Sequence, residues 1–265
     1  MRKFLIVLSA LTIAVEAAAQ LYHPGEKLEY RVSYKAKLFP NTEVGSVVVK
    51  TSNDKFRDRD VLTVDAHGRT LPTYRWFFDL DDRYVIRIDP EKLRPIHFAA
   101  DIKEGTYTFW SRYEYDWDSG VTRNEWQSRK RAVRKKELPL TDESLDAISL
   151  FFRMRTVDPA VFKENKSGEL QMVLQDTIRR IKYRFEAREV KRIRNMGRFR
   201  TLRFACQLGT SEDFTFKDGS EFKIWITDDR NKIPLYLESP VRIGSVQAYI
   251  CDFEGLKYPV ESRLK

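Results

Sequence analysis

Three groups of residues in this chain have the types that do chemistry. Carboxylates crowd at Asp79-Leu80-Asp81-Asp82 and at Asp228-Asp229. Two such groups facing each other across a cleft would supply the acid and base of a glycosidase, and serine nucleophiles are set by geometry rather than by spacing. Basic residues crowd between Ile178 and Arg203, where eleven stand against only Glu186 and Glu189. Arg outnumbers Lys there, and its planar fork grips phosphate or carboxylate through two parallel hydrogen bonds. The two cysteines, Cys206 and Cys251, form either a disulfide or two small buried apolar side chains on neighbouring strands. The separation of their Cα atoms decides between these readings.

Each group has a plainer role beside the chemical one. Asp is favoured in turns because its carboxylate bonds to nearby backbone N–H groups. The run at 79–82 lacks the glycine and distal glutamate of a calcium loop. His23, His67 and His97 are scattered, and no HExxH or CxxC spacing accompanies them, so no metal site is expected. Neither a GxSxG elbow nor a glycine-rich phosphate loop is present, which argues against a nucleotide cofactor. The residues therefore assign no catalytic group, metal or cofactor.

The elements that must position these side chains are mostly strands. Leu28, Tyr30, Val32, Tyr34, Ala36 and Leu38 alternate with Glu29, Arg31, Ser33, Lys35 and Lys37, the period-2 pattern of a sheet with one buried face. Tyr107, Phe109, Tyr113, Tyr115 and Trp117 share one parity, and so do Ile181, Tyr183, Phe185 and Ala187. Turn residues separate these runs at Asp118-Ser119-Gly120, Asn195-Met196-Gly197, Lys217-Asp218-Gly219-Ser220 and Asp228–Lys232. About a dozen strands result at spacings typical of all-β folds, with Pro234 at a strand start or sheet edge. One segment differs: Leu145, Ile148, Phe151 and Phe152 recur at helical spacing. The pattern predicts a main helix over about 142–156, capped by Thr141 or Asp142 and packed on a mainly β, antiparallel curled sheet or open barrel. The expected organisation is one β-rich domain over 20–265, with a possible internal division near 139–167.

The N-terminus carries an address. Met1-Arg2-Lys3 precedes an apolar run from Phe4 to Val15 and then Ala17-Ala18-Ala19. Those are the parts of a signal peptide, with cleavage expected after Ala19. The run is too short to span a bilayer, which takes about 20 apolar residues. A soluble protein in the periplasm or on the outer-envelope face of a bacterium is the expectation.

Export and strands give the basic segment its reading. The excess between 178 and 203 equals the net charge of the whole chain, +9. A hairpin about Asn195-Met196-Gly197 would project Lys182, Arg184 and Arg188 from one face, joined across the ladder by Arg198 and Arg200. A slip in parity between Phe199 and Leu202 suggests a bulge that re-aims some of them. This face is either solvated charge that blocks edge pairing or a site for an anionic lipid or acidic glycan. Export argues against nucleic acid as the natural partner. A second basic block runs through Arg129, Lys130, Arg131, Arg134, Lys135 and Lys136. Trp76, Phe77, Phe78, Tyr107, Phe109, Trp110, Tyr113, Tyr115 and Trp117 are either core or the lining of a cavity for an amphiphile.

The assembled motifs resemble an exported bacterial family of unknown function, number 3108. The likeness runs through Gly25–Tyr34, Asp82-Arg83-Tyr84, Pro95, Lys103–Tyr107, Asp146–Ser149, Trp225–Asp229, Ile233–Leu235 and Gly244–Val246. The resemblance implies export and a β-rich fold and brings no catalytic residue with it. The resulting expectation is non-catalytic binding or carriage of an anionic or amphiphilic envelope component. The alternatives are a cleft hydrolase using carboxylates or Ser on an envelope glycan or ester, and a structural partner of another envelope protein.

Overall fold

The computed structural model describes residues 23–36, 39–156, 167–208, 221–241 and 244–265. The leader, the Lys217–Ser220 turn and the Asp158-Pro159 connector lie outside them. Alternation sorts the chain into a meander. Strands β1 (Lys27–Ala36), β2 (Phe39–Phe56), β3 (Arg59–Thr70), β4 (Asp81–Ile88), β5 (Pro95–Glu104), β6 (Tyr107–Asp116), β7 (Val121–Ser128) and β8 (Arg134–Pro139) follow one another. After the short β9 (Ser144–Leu145) come the helix α1 (Ala147–Thr156), β10 (Ser167–Val173), β11 (Ile178–Ile193) and β12 (Gly197–Leu208). The chain ends with β13 (Glu221–Thr227), β14 (Pro234–Pro240), β15 (Ser245–Glu254) and β16 (Arg263–Leu264). Pro234 opens β14, where no ladder donor is needed.

All 16 strands belong to one sheet. β1 pairs antiparallel with both β2 and β15, so the two halves of the meander meet in an unbroken ladder. The sheet ends at β8 and β9, which are not hydrogen-bonded to each other. Yet only residues 140–143 connect them, and so short a segment reaches about 17 Å at full extension. The sheet must therefore curl until its ends almost meet. Side chains cross the seam: Asn124 Nδ2 on β7 donates to the carbonyls of Leu174 (2.9 Å) and Gln175 (3.2 Å) beyond β10.

Inside the curl, apolar residues of one parity pack around the helix. Leu28, Val64, Ile86, Ile88, Phe152, Leu235 and Ile250 are completely buried in one cluster. Leu150 faces a second cluster of Met172, Ile181, Phe185, Leu202, Phe204 and Ile226. The helix starts later than its periodicity predicts. Asp146 is the cap: its Oδ1 accepts from the backbone N–H groups of Ile148 (2.9 Å) and Ser149 (2.8 Å), and Ser149 Oγ donates to Oδ2 (2.7 Å). That geometry satisfies two orphan donors of the first turn. Asp142, predicted at the cap, instead pairs with Arg94 at 2.7 Å.

The other end of the helix carries a buried ion pair. Arg155 and Glu26 are each about 3 % exposed and form a bidentate pair, Nη1–Oε1 2.6 Å and Nη2–Oε2 2.9 Å. Arg155 Nε also donates to Asn231 O (3.0 Å). Asn231 in turn donates to Tyr258 O and accepts from Tyr258 N. One guanidinium thus joins the helix, the entrance to β1, the β13–β14 loop and the C-terminal tail. The crossing is tight at Gly255, which has φ +63°, and any Cβ there would overlap the Gly25 carbonyl.

Removing one member of this pair leaves the other charge buried alone. We expect Arg155→Met to lower unfolding free energy by about 3–5 kcal/mol in urea titration. Glu26→Leu/Arg155→Met should recover most of that loss. A loss under about 1 kcal/mol for the single variant would show that the pair is not a keystone.

Candidate functional site

The face of β2–β6 turned away from the core carries a groove of about 830 Å³. Register explains its shape. Thr63, Arg87 and His97 are cross-strand neighbours in one row, and Asp65, Val85, Ala99 and Arg112 form the next. Small Val85 and Ala99 make a low floor between tall arginines in adjoining rows. Phe56 closes one end, with the Arg87 guanidinium 4.4 Å and the Arg57 guanidinium 4.8 Å from its ring centre. His97 packs on the same ring at 5.0 Å. The β2–β3 turn that delivers this stack has Arg57 and Asp58 at φ 51° and 63°, as a two-residue hairpin turn requires. Two L-residues there cost about 1–2 kcal/mol each.

Carboxylates neutralise most of the arginines. Arg83 donates from Nε and Nη2 to Asp65, at 3.1 and 2.6 Å. Arg112 reaches Asp101 at 2.7 Å, and Arg57 makes a two-point contact with Glu114 at 2.7 and 3.0 Å. Arg87 is different. Among the described residues no carboxylate pairs with it, and its Nε is buried without a hydrogen-bond partner. Its Nη1 donates to His97 Nδ1 at 2.9 Å, which leaves the imidazole proton on Nε2. Burial first, then the charges of Arg87, Arg57 and Arg112, hold His97 down at about 4. The imidazole is therefore neutral at pH 7, with the Arg87, Arg57 and Arg112 charges around it and Glu114 Oε1 3.7 Å from its Nε2.

The residues singled out by sequence are placed elsewhere. β11 has its bulge between Phe185 and Ala187, not near Phe199–Leu202. This reverses the parity of everything beyond it. Lys182 and Arg184 therefore share a face with Arg203, whereas Arg188, Arg198 and Arg200 share the opposite face with Leu202. The expected single face of Lys182, Arg184, Arg188, Arg198 and Arg200 is divided between the two sides of the hairpin. Several of its charges are also matched: Lys182 by Glu169 (3.8 Å), Arg184 by Glu186 and Glu221 (3.4 Å each), and Arg188 by Asp228 (3.7 Å). Arg200 donates to Glu261 O at 2.7 Å, and Arg198 lies directly opposite Arg192.

Cys206 and Cys251 are free thiols. They lie on β12 and β15, which β13 and β14 separate. Three strand spacings come to about 14 Å, twice what a disulfide spans. Burial pushes the Cys206 thiol up to about 12. The acidic runs serve local structure. Asp229 accepts from Thr227, Asn231, Lys232 and Ser262, and Asp81 pairs with His67 at 2.5 Å. Among the described residues no three His, Cys, Asp or Glu side chains gather in a metal-binding group, and no helix is long and apolar enough to cross a membrane.

Sequence reasoning passed over Arg87 and gave His97 no partner. The signal was faint but present: Arg87 and His97 occupy outward positions beside small residues on adjacent strands.

A family model described as a protein of unknown function (DUF3108) matches residues 29–250, and the chain belongs to that family. Among solved structures, the chain is similar to a β-barrel-like protein of domain of unknown function DUF1849 from Brucella abortus. That likeness has a TM-score of 0.58 at 9% identity and covers 88% of this chain and 98% of that one. At this identity the likeness is one of fold. A LolA superfamily protein, NE2245 from Nitrosomonas europaea, aligns with a TM-score of 0.20 at 8% identity, over 96% and 97% of the two chains. No curated protein matches the chain.

The field around His97 is directly measurable. Its ring should titrate near 4 by NMR, and Arg87→Gln should move the midpoint upward, toward the ordinary 6.5. The unfolded chain takes up this proton near 6.5 and the native one only near 4. The His97 contribution to stability is therefore complete above 6.5 and is lost as pH falls through that window. A midpoint at or above 6.5 in the parent would contradict the geometry.

Proposed function

We propose that this member of the DUF3108 family is an exported, non-catalytic binding protein of a bacterial cell envelope, and that its outer groove takes an anionic group of an envelope component. The observation that carries this reading is Arg87. It is a guanidinium stacked on Phe56 in an open groove, with a buried Nε that lacks a partner and with no carboxylate in ion-pair contact among the described residues. An unmatched guanidinium held by packing is pre-organised for bidentate capture of a phosphate or carboxylate oxygen pair. The neighbouring ion pairs support the same reading. Asp65, Asp101 and Glu114 are each committed to an arginine, so they hold the site's shape, whereas a hydrolase would need them free to exchange protons.

The packed interior argues for the outer face over the curl as the place of binding. Phe152 of the helix is completely buried among the strand side chains, in the space an enclosed amphiphile would need. Export rests on the leader pattern of residues 1–19 and on the family resemblance.

Titration with inorganic phosphate and with galacturonate, followed on the His97 ring by NMR, tests the groove. We expect a saturable shift for at least one anion, at least about tenfold weaker in Arg87→Gln and weakened by salt. An unperturbed ring, or a shift equal in Arg87→Gln, would remove the groove from the account. Export has its own check: N-terminal sequencing of protein recovered from the envelope fraction should begin at Gln20, and an intact Met1 on cytosolic protein would contradict it.

A further inference from the structure

The aromatic run Trp76-Phe77-Phe78 is not core. Trp76 is 83% exposed, Phe77 79% and Phe78 47%, the largest exposed apolar side chains among the described residues. They sit on the β3–β4 connection, which is ordered by its own backbone. A short 3-10 turn at Pro72–Tyr74 precedes them, and the Phe77 and Phe78 N–H groups both donate to Tyr74 O, at 3.0 and 3.1 Å. The rings of Trp76 and Phe77 meet edge to face, 5.9 Å apart. A structured turn is thus holding three aromatic side chains out into water, at an unfavourable hydration free energy that burial elsewhere would recover.

The second basic block lies on the same rim. In an up-and-down meander the β3–β4, β5–β6 and β7–β8 turns fall at one end of the sheet, and their hydrogen bonds link them in series. Gly105 N donates to Asp79 O at 2.6 Å, Leu80 bridges Glu104, and Arg129 N donates to Thr108 O at 2.6 Å. Neighbouring turns therefore stand about 10 Å apart. The β7–β8 turn contributes exposed Arg129, Lys130 and Arg131, and Val133 beyond them is 46% exposed. No carboxylate pairs with those three cations among the described residues; of the rim acids, Asp79 is matched by Arg75 and Asp81 by Arg69, and Glu104 makes no ion pair among the described residues, so the three free cations still outnumber it.

We propose that this rim docks on an anionic bilayer surface, with Trp76, Phe77 and Phe78 entering the interfacial region and Arg129, Lys130 and Arg131 facing lipid phosphates. The aromatics are held out into solvent rather than in a groove, and the unmatched charge two turns along the rim, about 20 Å away, has the sign that complements an acidic headgroup layer. Trp and Phe so exposed gain from the headgroup boundary without needing a shaped partner, and unpaired basic residues on the same rim add affinity for acidic lipids. The proposal is independent of the groove, which lies on the broad outer face and not on this rim.

The test is sedimentation of the purified protein with vesicles of phosphatidylcholine alone and with about 30% phosphatidylglycerol, at low and high salt. We expect at least about tenfold stronger partitioning to the anionic vesicles, reduced by salt. Trp76→Ser/Phe77→Ser and, separately, Arg129→Glu/Lys130→Glu/Arg131→Glu should each weaken it about tenfold or more. Parent and variants carry the same N-terminus, so the difference isolates the rim, and thermal melts confirm that these exposed changes leave the fold intact. Trp76→Phe should retain binding and lose most of the lipid-induced blue shift in tryptophan fluorescence. Arg87→Gln should bind vesicles like the parent, whatever happens to the groove. Failure of the parent to bind anionic vesicles at low salt, or equal binding by the rim variants, would overturn the proposal. Loss of vesicle binding in Arg87→Gln alone would overturn it by moving lipid to the groove. Rim-dependent capture of a protein by a parent that ignores vesicles would assign the surface to that partner instead.

Discussion

A buried guanidinium decides where the helix docks inside the curl. The sheet is a ribbon whose two ends the short 140–143 connection brings together, but that connection does not fix where the helix beyond it settles. The Arg155–Glu26 pair does. It draws the last turn of the helix onto the entrance of β1, while Asn231 and Tyr258 pull the β13–β14 loop and the tail to the same point. Two ions taken out of water cost several kcal/mol, and only two-point contact with further hydrogen bonds offsets this. The pair therefore contributes less to stability than to choice. An arrangement in which the helix docks elsewhere leaves a charge stranded, and that penalty discriminates against it.

The location of the two proposed surfaces follows from that docking. With Phe152 seated among Ile86, Ile88, Leu235 and Ile250, the inner face is occupied and the outer face and rim are left exposed to solvent. The outer face is a checkerboard of ion pairs in which Val85 and Ala99 leave a hollow and Arg87 is left without a counter-charge. The rim collects the turns, and turns are where side chains can be held away from the sheet without disturbing its ladder. The groove and the aromatic turn are thus two products of one architecture, placed by row in one case and by end in the other.

The sheet and the helix were legible because they repeat. Period-2 runs such as Leu28–Leu38 and turn chemistry at Asn195-Met196-Gly197 or Asp228–Lys232 express local rules, and the structure follows them. What was not legible depended on breaks in those rules. An extra residue at Glu186 reverses every side chain after it, and a bulge leaves almost no mark in composition, so the basic face was drawn as continuous when it is divided. The helix start moved from Thr141 or Asp142 to Asp146 because several residues there can cap, and the two-residue pairing of Ser144 and Leu145 with β10 selects among them. Glu26 and Arg155 lie 129 residues apart, and no local pattern joins them. Trp76-Phe77-Phe78 looked like core because aromatic type signals burial on average, while the loop that exposes them is a matter of position.

Native-state hydrogen exchange probes the docking interaction most directly. If the buried pair ties the four segments into one unit, amides of α1, of β1 near Tyr30, of Ile233 and of Tyr258 will exchange through one shared opening. In Arg155→Met all four will then lose protection together by a similar free energy. If α1 loses protection while β1, Ile233 and Tyr258 keep theirs, the pair anchors a helix and nothing more, and the account of one guanidinium tying four segments together is wrong.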